Sequence, residues 1–407
     1  MHENVNQNII DEMMVSAKTC AGMEINMKST LRRTWAEIDM DALAHNYETL
    51  RKRIGENVKF LGVVKADAYG HGSVQVSRLL QESGADYLAV SSIDEAVELR
   101  HNGITMPVLI LGHTPKEEVS ELIKNNITQA VTCRAKALEY SEEAVKCGGT
   151  LKIHIKVDTG MSRLGYLCDG DYFESGVEGI CEGCTLPGLD AVSDEFGEEY
   201  ESYTKHQFEL FTSVIDEVEK KLGKKFKIRH CANTGAVARY PETWLDMVRP
   251  GLLLYGYGDF AQELGLKPVM SLKTTVSTIK TYPAGTAISY GGIYKTDRKT
   301  RMGVVPYGYA DGYFRCLSNR YELMTEEGPA PQRGKICMDM CMIDLTDKMN
   351  VDVGSEVEIF GKANPIEHMA QLAGTIPYEL TCAVSKRVPR MYIKDGKVYE
   401  KELLLRG

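Results

Sequence analysis

The sequence lacks the features that would commit a chain to a membrane, to nucleic acid or to an oxidising compartment. No apolar run approaches the ~18 residues that signal a bilayer span. The net charge of −9 argues against nucleic acid and anionic lipid as partners, because both require concentrated Lys and Arg. The opening stretch MHENVNQNIIDEMM has neither a basic segment nor an apolar one. No secretory leader is therefore expected, and the expected location is cytoplasmic. The eleven cysteines are odd in number and scattered, which fits reduced thiols better than a disulfide framework. Cys181 and Cys184 form a C-x-x-C, but a structural zinc site needs a second such pair, and Cys337 with Cys341 is spaced differently. Core or incidental thiols are the better reading, and no metal site is expected. The first strand-to-helix turn also lacks G-x-G-x-x-G, which removes support for a dinucleotide-binding open sheet.

What is present is an ordinary globular composition, 43% hydrophobic and 26% charged, in a chain of 407 residues. Two domains are the default for such a length. Residues 1–33 show no periodic pattern and read as an extension. From there strand-like and helix-like segments alternate. DMDALAHNYETLRKRIG sets Leu43, Tyr47, Leu50 and Ile54 on one helical face, with Asp41 as the expected cap and Gly55 as the stop. SIDEAVELRHNG opens with Ser92 and Glu95 at capping-box spacing. Eight short apolar runs follow the same rhythm: VKFLGVVK, DYLAVSS, PVLILG, ITQAVT, LKIHIKVD, CTLPGLDAV, KIRHCAN and MVRPGLLLYG. Their continuous hydrophobicity suits strands covered on both faces. The expected fold is α/β, a (β/α)8 TIM-type barrel over residues 34–265 followed by a β-rich C-terminal domain over residues 266–407. In the latter, GSEVEIFG and MYIKDGKVYE read as strands, with Asp395-Gly396 as a hairpin turn.

In such a barrel the chemistry gathers just past the C-terminal ends of the strands. Lys65 closes the first run, in VVKADAYGHG. An exposed lysine at a strand end is the plain alternative, but other strand ends point the same way. Arg163 lies beyond strand five, Asn233 and Thr234 after strand seven, Arg249 and Gly251 at strand eight. Thr234 and the backbone amides near Gly251 and Leu252 offer a phosphate site where this barrel usually has one. A lysine facing a phosphate cradle suits pyridoxal phosphate, which needs an amine for its aldehyde and donors for its anion. A structural salt bridge remains the alternative for each arginine. His71 and His230 have no carboxylate or cysteine at ligand spacing and read as hydrogen-bonding neighbours of the site.

From Trp35 to Arg390 the chain resembles alanine racemase, a pyridoxal-phosphate enzyme family with an α/β barrel and a C-terminal β domain. VVKADAYGHG is similar to the family's cofactor-lysine signature, which implies Lys65 as the Schiff-base residue and Tyr69 as a phosphate contact. KVDTGMSRLG resembles the segment in which a lysine, often carbamylated, supports an arginine near the cofactor's phenolic oxygen; here these are Lys156 and Arg163. ANTGA matches with Thr234 where serine is more usual, a change that keeps the hydroxyl. VRPG supplies Arg249 for the pyridine nitrogen, ISYGG supplies Tyr290, PYGYADG supplies Tyr309, ICMDM supplies Met338 and Asp339, and IPYE supplies Tyr378.

The resemblance implies interconversion of L- and D-alanine by a two-base mechanism on a pyridoxal-phosphate aldimine, feeding D-alanine to peptidoglycan. Lys65 and Tyr290 are the implied catalytic pair, one for each face of the substrate's Cα. The implied cofactor contacts are Lys65, Tyr69, Arg163, Asn233, Thr234, Arg249, Gly251, Leu252 and Tyr378; Arg163, Met338 and Tyr309 are the implied substrate contacts. A homodimer with shared active sites is implied as well. Tyrosine, with an ordinary pKa near ~10, needs nearby cations to act as a base. Arg249 would keep its proton, which leaves the pyridine ring a weaker electron sink and restrains competing chemistry.

One departure stands out. Matching PGLDAVSDEF backward from Ala191 to Asp194 places Leu189 where the family usually has a histidine stacked on the cofactor ring. A serine or broader-specificity racemase, and a weakly active or non-catalytic pyridoxal-phosphate-binding protein, therefore stay open as readings. The second domain and Tyr290 count against the non-catalytic one. Related barrel decarboxylases would carry a carboxylate in place of Arg249.

Overall fold

The computed structural model describes residues 33–195 and 201–403; residues 1–32, nearly all of the expected extension, lie outside the described residues. Eight strands form one parallel sheet, in the order Met247–Val248, Lys59–Val63, Tyr87–Val90, Val108–Ile110, Ile127–Val131, Leu151–Asp158, Leu189–Glu195 and Ile228–His230. Hydrogen bonds from Asp246 N to Arg229 O (3.0 Å) and from Arg249 N to Ala232 O (2.9 Å) join the two ends of that order. The sheet is thus the expected barrel, with helices between successive strands.

Side-chain alternation along each strand decides what enters the barrel. On the first strand Phe60 and Val64 join the main core between sheet and helices, whereas Leu61 and Val63 join a smaller apolar cluster with Ala89, Leu109, Ile228 and Met247. Continuing the alternation turns Lys65 inward at the rim. On the fifth strand Ile153, Ile155 and Val157 face the helices, so His154, Lys156 and Asp158 face the barrel. All three are buried.

Two local expectations change. Asp39, not Asp41, caps the helix Met40–Ile54, with its carboxylate accepting the Ala42 amide at 2.9 Å; Asp41 falls inside the first turn. Cys184 and Thr185, read as the start of strand six, end the helix Phe173–Thr185. Leu186 precedes a proline and is extended, at φ −64° and ψ 139°, so the strand starts only at Leu189.

A short ninth strand, Tyr166–Leu167, pairs with Leu151–Asp158, and Ala287–Ile288 pairs separately with Tyr294–Lys295; the other ten strands form a second sheet built mostly from residues after 269. Its second-from-last pair of neighbours is unexpected. Trp35–Asp39, placed with the barrel in the sequence reading, runs antiparallel to Met270–Thr275 and parallel to Arg390–Lys394. The hairpin joining Arg390–Lys394 to Lys397–Glu402 turns at Asp395 and Gly396, both with positive φ (52° and 71°), as a tight turn matching strand twist requires.

Arg390 locks this sheet to the barrel. The side chain is only 2% exposed. It donates to Gly70 O (3.2 Å), Ser385 O (2.8 Å), Val388 O (2.7 Å) and Val384 O (2.7 Å). Replacing it with methionine keeps the bulk but leaves several carbonyls buried without donors. Arg390→Met is expected to destabilise the protein by about 3 kcal/mol or more in urea unfolding, and Arg390→Lys to restore little of it, because an ammonium cannot reproduce the planar fork.

Candidate active site

At the C-terminal mouth of the barrel lies a cavity of about 920 Å³, lined by Lys65, Tyr69, Arg163, Asn233, Thr234, Arg249, Gly251, Leu252 and Tyr378 among others. Residues from strand one, strand five, strand seven and strand eight thus meet where the spacing of the sequence motifs places them. Ile376, Tyr240 and Arg239 also line the cavity and were not singled out in the sequence, since none belongs to a strand end.

The backbone after Lys65 takes an uncommon form. Ala66, Asp67, Ala68 and Tyr69 have φ between 51° and 54°, one turn of left-handed helix made without glycine. Several contacts hold it. His71 Nδ1 lies 2.9 Å from Ala68 O and 3.0 Å from Tyr69 O. Since carbonyls only accept, Nδ1 carries the proton. Asp67 Oδ1 accepts the Ser73 amide at 2.8 Å, and Arg390 grips the following Gly70 carbonyl. The turn sends the Tyr69 ring against Tyr255 and Tyr378, with centroids 5.2 Å and 6.3 Å apart.

The opposite wall is a cradle of donors. The amides of Gly251 and Leu252 both point at Thr234 Oγ1, at 3.1 Å each. A Cβ at position 251 would come within 2.8 Å of the Tyr69 hydroxyl, so glycine is what lets hydroxyl and backbone close on the same point. Asn233 has a supporting part: its side-chain oxygen caps the short helix Thr234–Arg239 by accepting from Gly235 N (2.9 Å) and Ala236 N (3.2 Å). Two amides, a threonine hydroxyl and a tyrosine hydroxyl suit a tetrahedral anion. With an amine and a guanidinium in the same cavity, the donor set fits pyridoxal phosphate.

Arg249 is buried, and a line of rings fixes its place. Its Nη1 lies 3.0 Å from His230 Nδ1 and 3.1 Å from His230 O. His230 Nε2 in turn lies 2.9 Å from His154 Nδ1. A guanidinium only donates, so His230 Nδ1 accepts, Nε2 carries the proton, and His154 Nδ1 accepts it. Burial, then the charge of Arg249, pushes the His230 pKa well below its ordinary value. Arg163 is exposed, on a turn whose amides Gly160 N (3.0 Å) and Ser162 N (2.9 Å) are held by Asp158 Oδ1. Lys156 is buried one inward step below Asp158 and does not line the cavity.

Tyr290, Tyr309 and Met338 are not brought to this cavity. They lie on loops of the C-terminal sheet and are 69%, 43% and 52% exposed. Those loops are tied together: Ser289 Oγ donates to Lys335 O (2.6 Å), and Tyr309 N donates to Cys337 O (3.0 Å). Asp339 accepts from Arg387 at 2.7 Å. Leu189 is also elsewhere. It pairs with Leu151 at the start of strand five, while Glu195 pairs with Lys156, so Leu189 sits at the far end of the barrel and takes no part in the cavity. Among the described residues no cluster of three metal-ligating side chains occurs, and no helix is long and apolar enough to cross a membrane.

The chain matches two family models, the alanine racemase N-terminal domain over residues 38–259 and the alanine racemase C-terminal domain over residues 269–392. It is 42% identical over 382 residues to the alanine racemase of Clostridium tetani, covering 90% of this chain and 97% of that protein. The solved alanine racemase of Clostridium difficile superposes with a TM-score of 0.87 at 36% identity, covering 91% of this chain and 98% of that one. That of Bacillus anthracis with bound L-Ala-P does so with a TM-score of 0.83 at 33% identity, covering 92% and 98%.

The buried histidines make the fold acid-sensitive. Burial pushes the His71 pKa from 6.5 down to about 3. Below pH 6.5 the unfolded chain binds a proton there that the folded protein refuses, so stability falls as pH drops towards 3, by about 1.4 kcal/mol per pH unit for each such site. Urea unfolding between pH 7 and 4.5 should show a shallower acid slope for His71→Asn, which lacks the titrating group.

Proposed function

Because the chain belongs to the alanine racemase family, we infer that it interconverts L- and D-alanine, and we propose that it does so with pyridoxal phosphate in the barrel cavity and with Lys65 and Tyr290 as proton carriers. The observation that carries this reading is the meeting of the Lys65 side chain, Arg249 and the Gly251–Leu252 amides in one cavity. Gly251 N, Leu252 N, Thr234 Oγ1 and Tyr69 Oη hold the phosphate, and Asn233 shapes that cradle. Arg249 donates to the pyridine nitrogen, its direction fixed by His230 and His154. Tyr378 walls the cavity. When bound, the cofactor draws electrons from the substrate's Cα and so acidifies the Cα–H bond. Lys65 Nζ takes or returns the proton on one face, and Tyr290 Oη does so on the other.

A single copy of the chain does not complete this site. Tyr290, Tyr309 and Met338 are exposed on the C-terminal loops, away from the Lys65 cavity. A second copy brings them in, so the working unit is a homodimer with shared sites. Arg163 and the incoming Tyr309 and Met338 touch the substrate. Lys156, as its carbamate, supports Arg163. The incoming side chains and Tyr378 keep the pocket small, which favours alanine, although one hydroxyl separates serine from it.

Borohydride treatment followed by peptide mapping should place the cofactor on Lys65, and Lys65→Ala should lose the protein-bound yellow absorbance; an unchanged spectrum in that variant rejects the assignment. Tyr290→Phe should keep the absorbance and lose about 10²–10⁴-fold in alanine racemisation. Shared sites make a further prediction: mixing inactive Lys65→Ala and Tyr290→Phe chains should restore about a quarter of wild-type activity, since random pairing makes half the dimers mixed and each mixed dimer has one intact site. No restoration means that each chain keeps its own pair. Alanine should be turned over faster than serine in the same assay.

A further inference from the structure

Glu95 does something that its capping box does not require. In that motif the carboxylate returns to the backbone amide of the cap residue. Only half of the motif forms, with Ser92 Oγ accepting the Glu95 amide at 3.4 Å. The carboxylate leaves its own helix, Ile93–His101. Oε2 accepts the amide of Ser91 at 2.6 Å, and Oε1 accepts the amide of Ala66 at 2.7 Å. Ser91 follows strand two directly, and Ala66 follows Lys65. One carboxylate therefore staples the ends of two neighbouring strands, and one of its two anchors is the Lys65–Ala66 peptide itself.

That peptide is where the chain changes hand. Val64 has φ −120°, and from Ala66 onward φ is positive for five residues, Gly70 included. The first amide of any helical turn lacks an acceptor within the turn, so the Ala66 N–H needs one from outside. A carboxylate is the strongest acceptor available, its hydrogen bonds being roughly twice as strong as neutral ones. Fixing the plane of this peptide fixes the backbone of Lys65 on its C-terminal side, and with it the direction of the lysine side chain.

We propose that Glu95 is a positioning residue for Lys65, holding the Lys65–Ala66 peptide so that the left-handed turn forms and the amine faces the cavity. This rests on the assignment of Lys65 as the cofactor-bearing lysine. Both oxygens are needed. Glu95→Asp keeps the charge but is one methylene short of the span. Glu95→Gln keeps one acceptor and presents its own N–H groups to the other amide. Glu95→Ala removes both acceptors.

The test is amide hydrogen exchange on the full-length, cofactor-loaded protein, paired with kinetics on both enantiomers of alanine. In Glu95→Ala and Glu95→Asp the amides of residues 66–69 should exchange roughly 10- to 100-fold faster while the other barrel strands keep their protection. The kcat should fall about tenfold or more with KM within about twofold, and the Cα-deuterium isotope effect should rise with one enantiomer only, since Lys65 serves one face. Glu95→Gln should fall between these variants and wild type. Unchanged exchange at 66–69, a uniform rise across the barrel, or an equal isotope effect with both enantiomers overturns the proposal. A Lys65→Ala protein that keeps its absorbance instead removes the cofactor assignment and leaves the exchange result standing, so the two failures are told apart.

Discussion

The handedness of four residues governs the site. Ala66 to Tyr69 lie at φ between 51° and 54°, a conformation that costs L-residues roughly 1–2 kcal/mol each when repeated as a helix. Glycine would relax the turn, yet a glycine-rich link would also leave the lysine before it poorly directed. The protein keeps Cβ-bearing residues and holds them from outside: Glu95 at the entrance, His71 at the exit, and Arg390 on the next carbonyl. The strained turn does two things at once. It ends the inward alternation of Leu61 and Val63 with Lys65 at the rim, and it throws the Tyr69 hydroxyl back across to the side of Gly251 where a Cβ would lie.

The barrel interior near the mouth is polar, with Lys156, Asp158 and Arg249 all buried there. Burial and the charge of Arg249 hold His230 neutral, and its ring links Arg249 to His154. A neutral ring beside a guanidinium is an orienting device, because its unprotonated nitrogen accepts in one direction only. The cationic side chains that line the cavity, Lys65, Arg163, Arg239 and Arg249, suit a ligand that brings a phosphate and a carboxylate.

Much of this was legible in the chain. Eight apolar runs with helices between them announced the barrel, and the strand-end residues Lys65, Arg163, Thr234 and Arg249 do share one cavity. Local patterns sufficed there, because a strand's end and its inward face are properties of the strand itself. They failed where a partner decides. The place of Leu189, at the end of the barrel away from the cavity, is set by its pairing with Leu151. Glu95 has the spacing of an ordinary cap, and only the approach of strand one diverts its carboxylate.

The pairing of Trp35–Asp39 with Arg390–Lys394 has a consequence for how the protein is made. Translation reaches the second of these strands long after the first, so the earlier strand waits with an edge uncovered. Closing that gap brings Arg390 onto Gly70. The Gly70 carbonyl, at the exit of the Lys65 turn, is therefore secured only when a residue 320 positions further along the chain arrives.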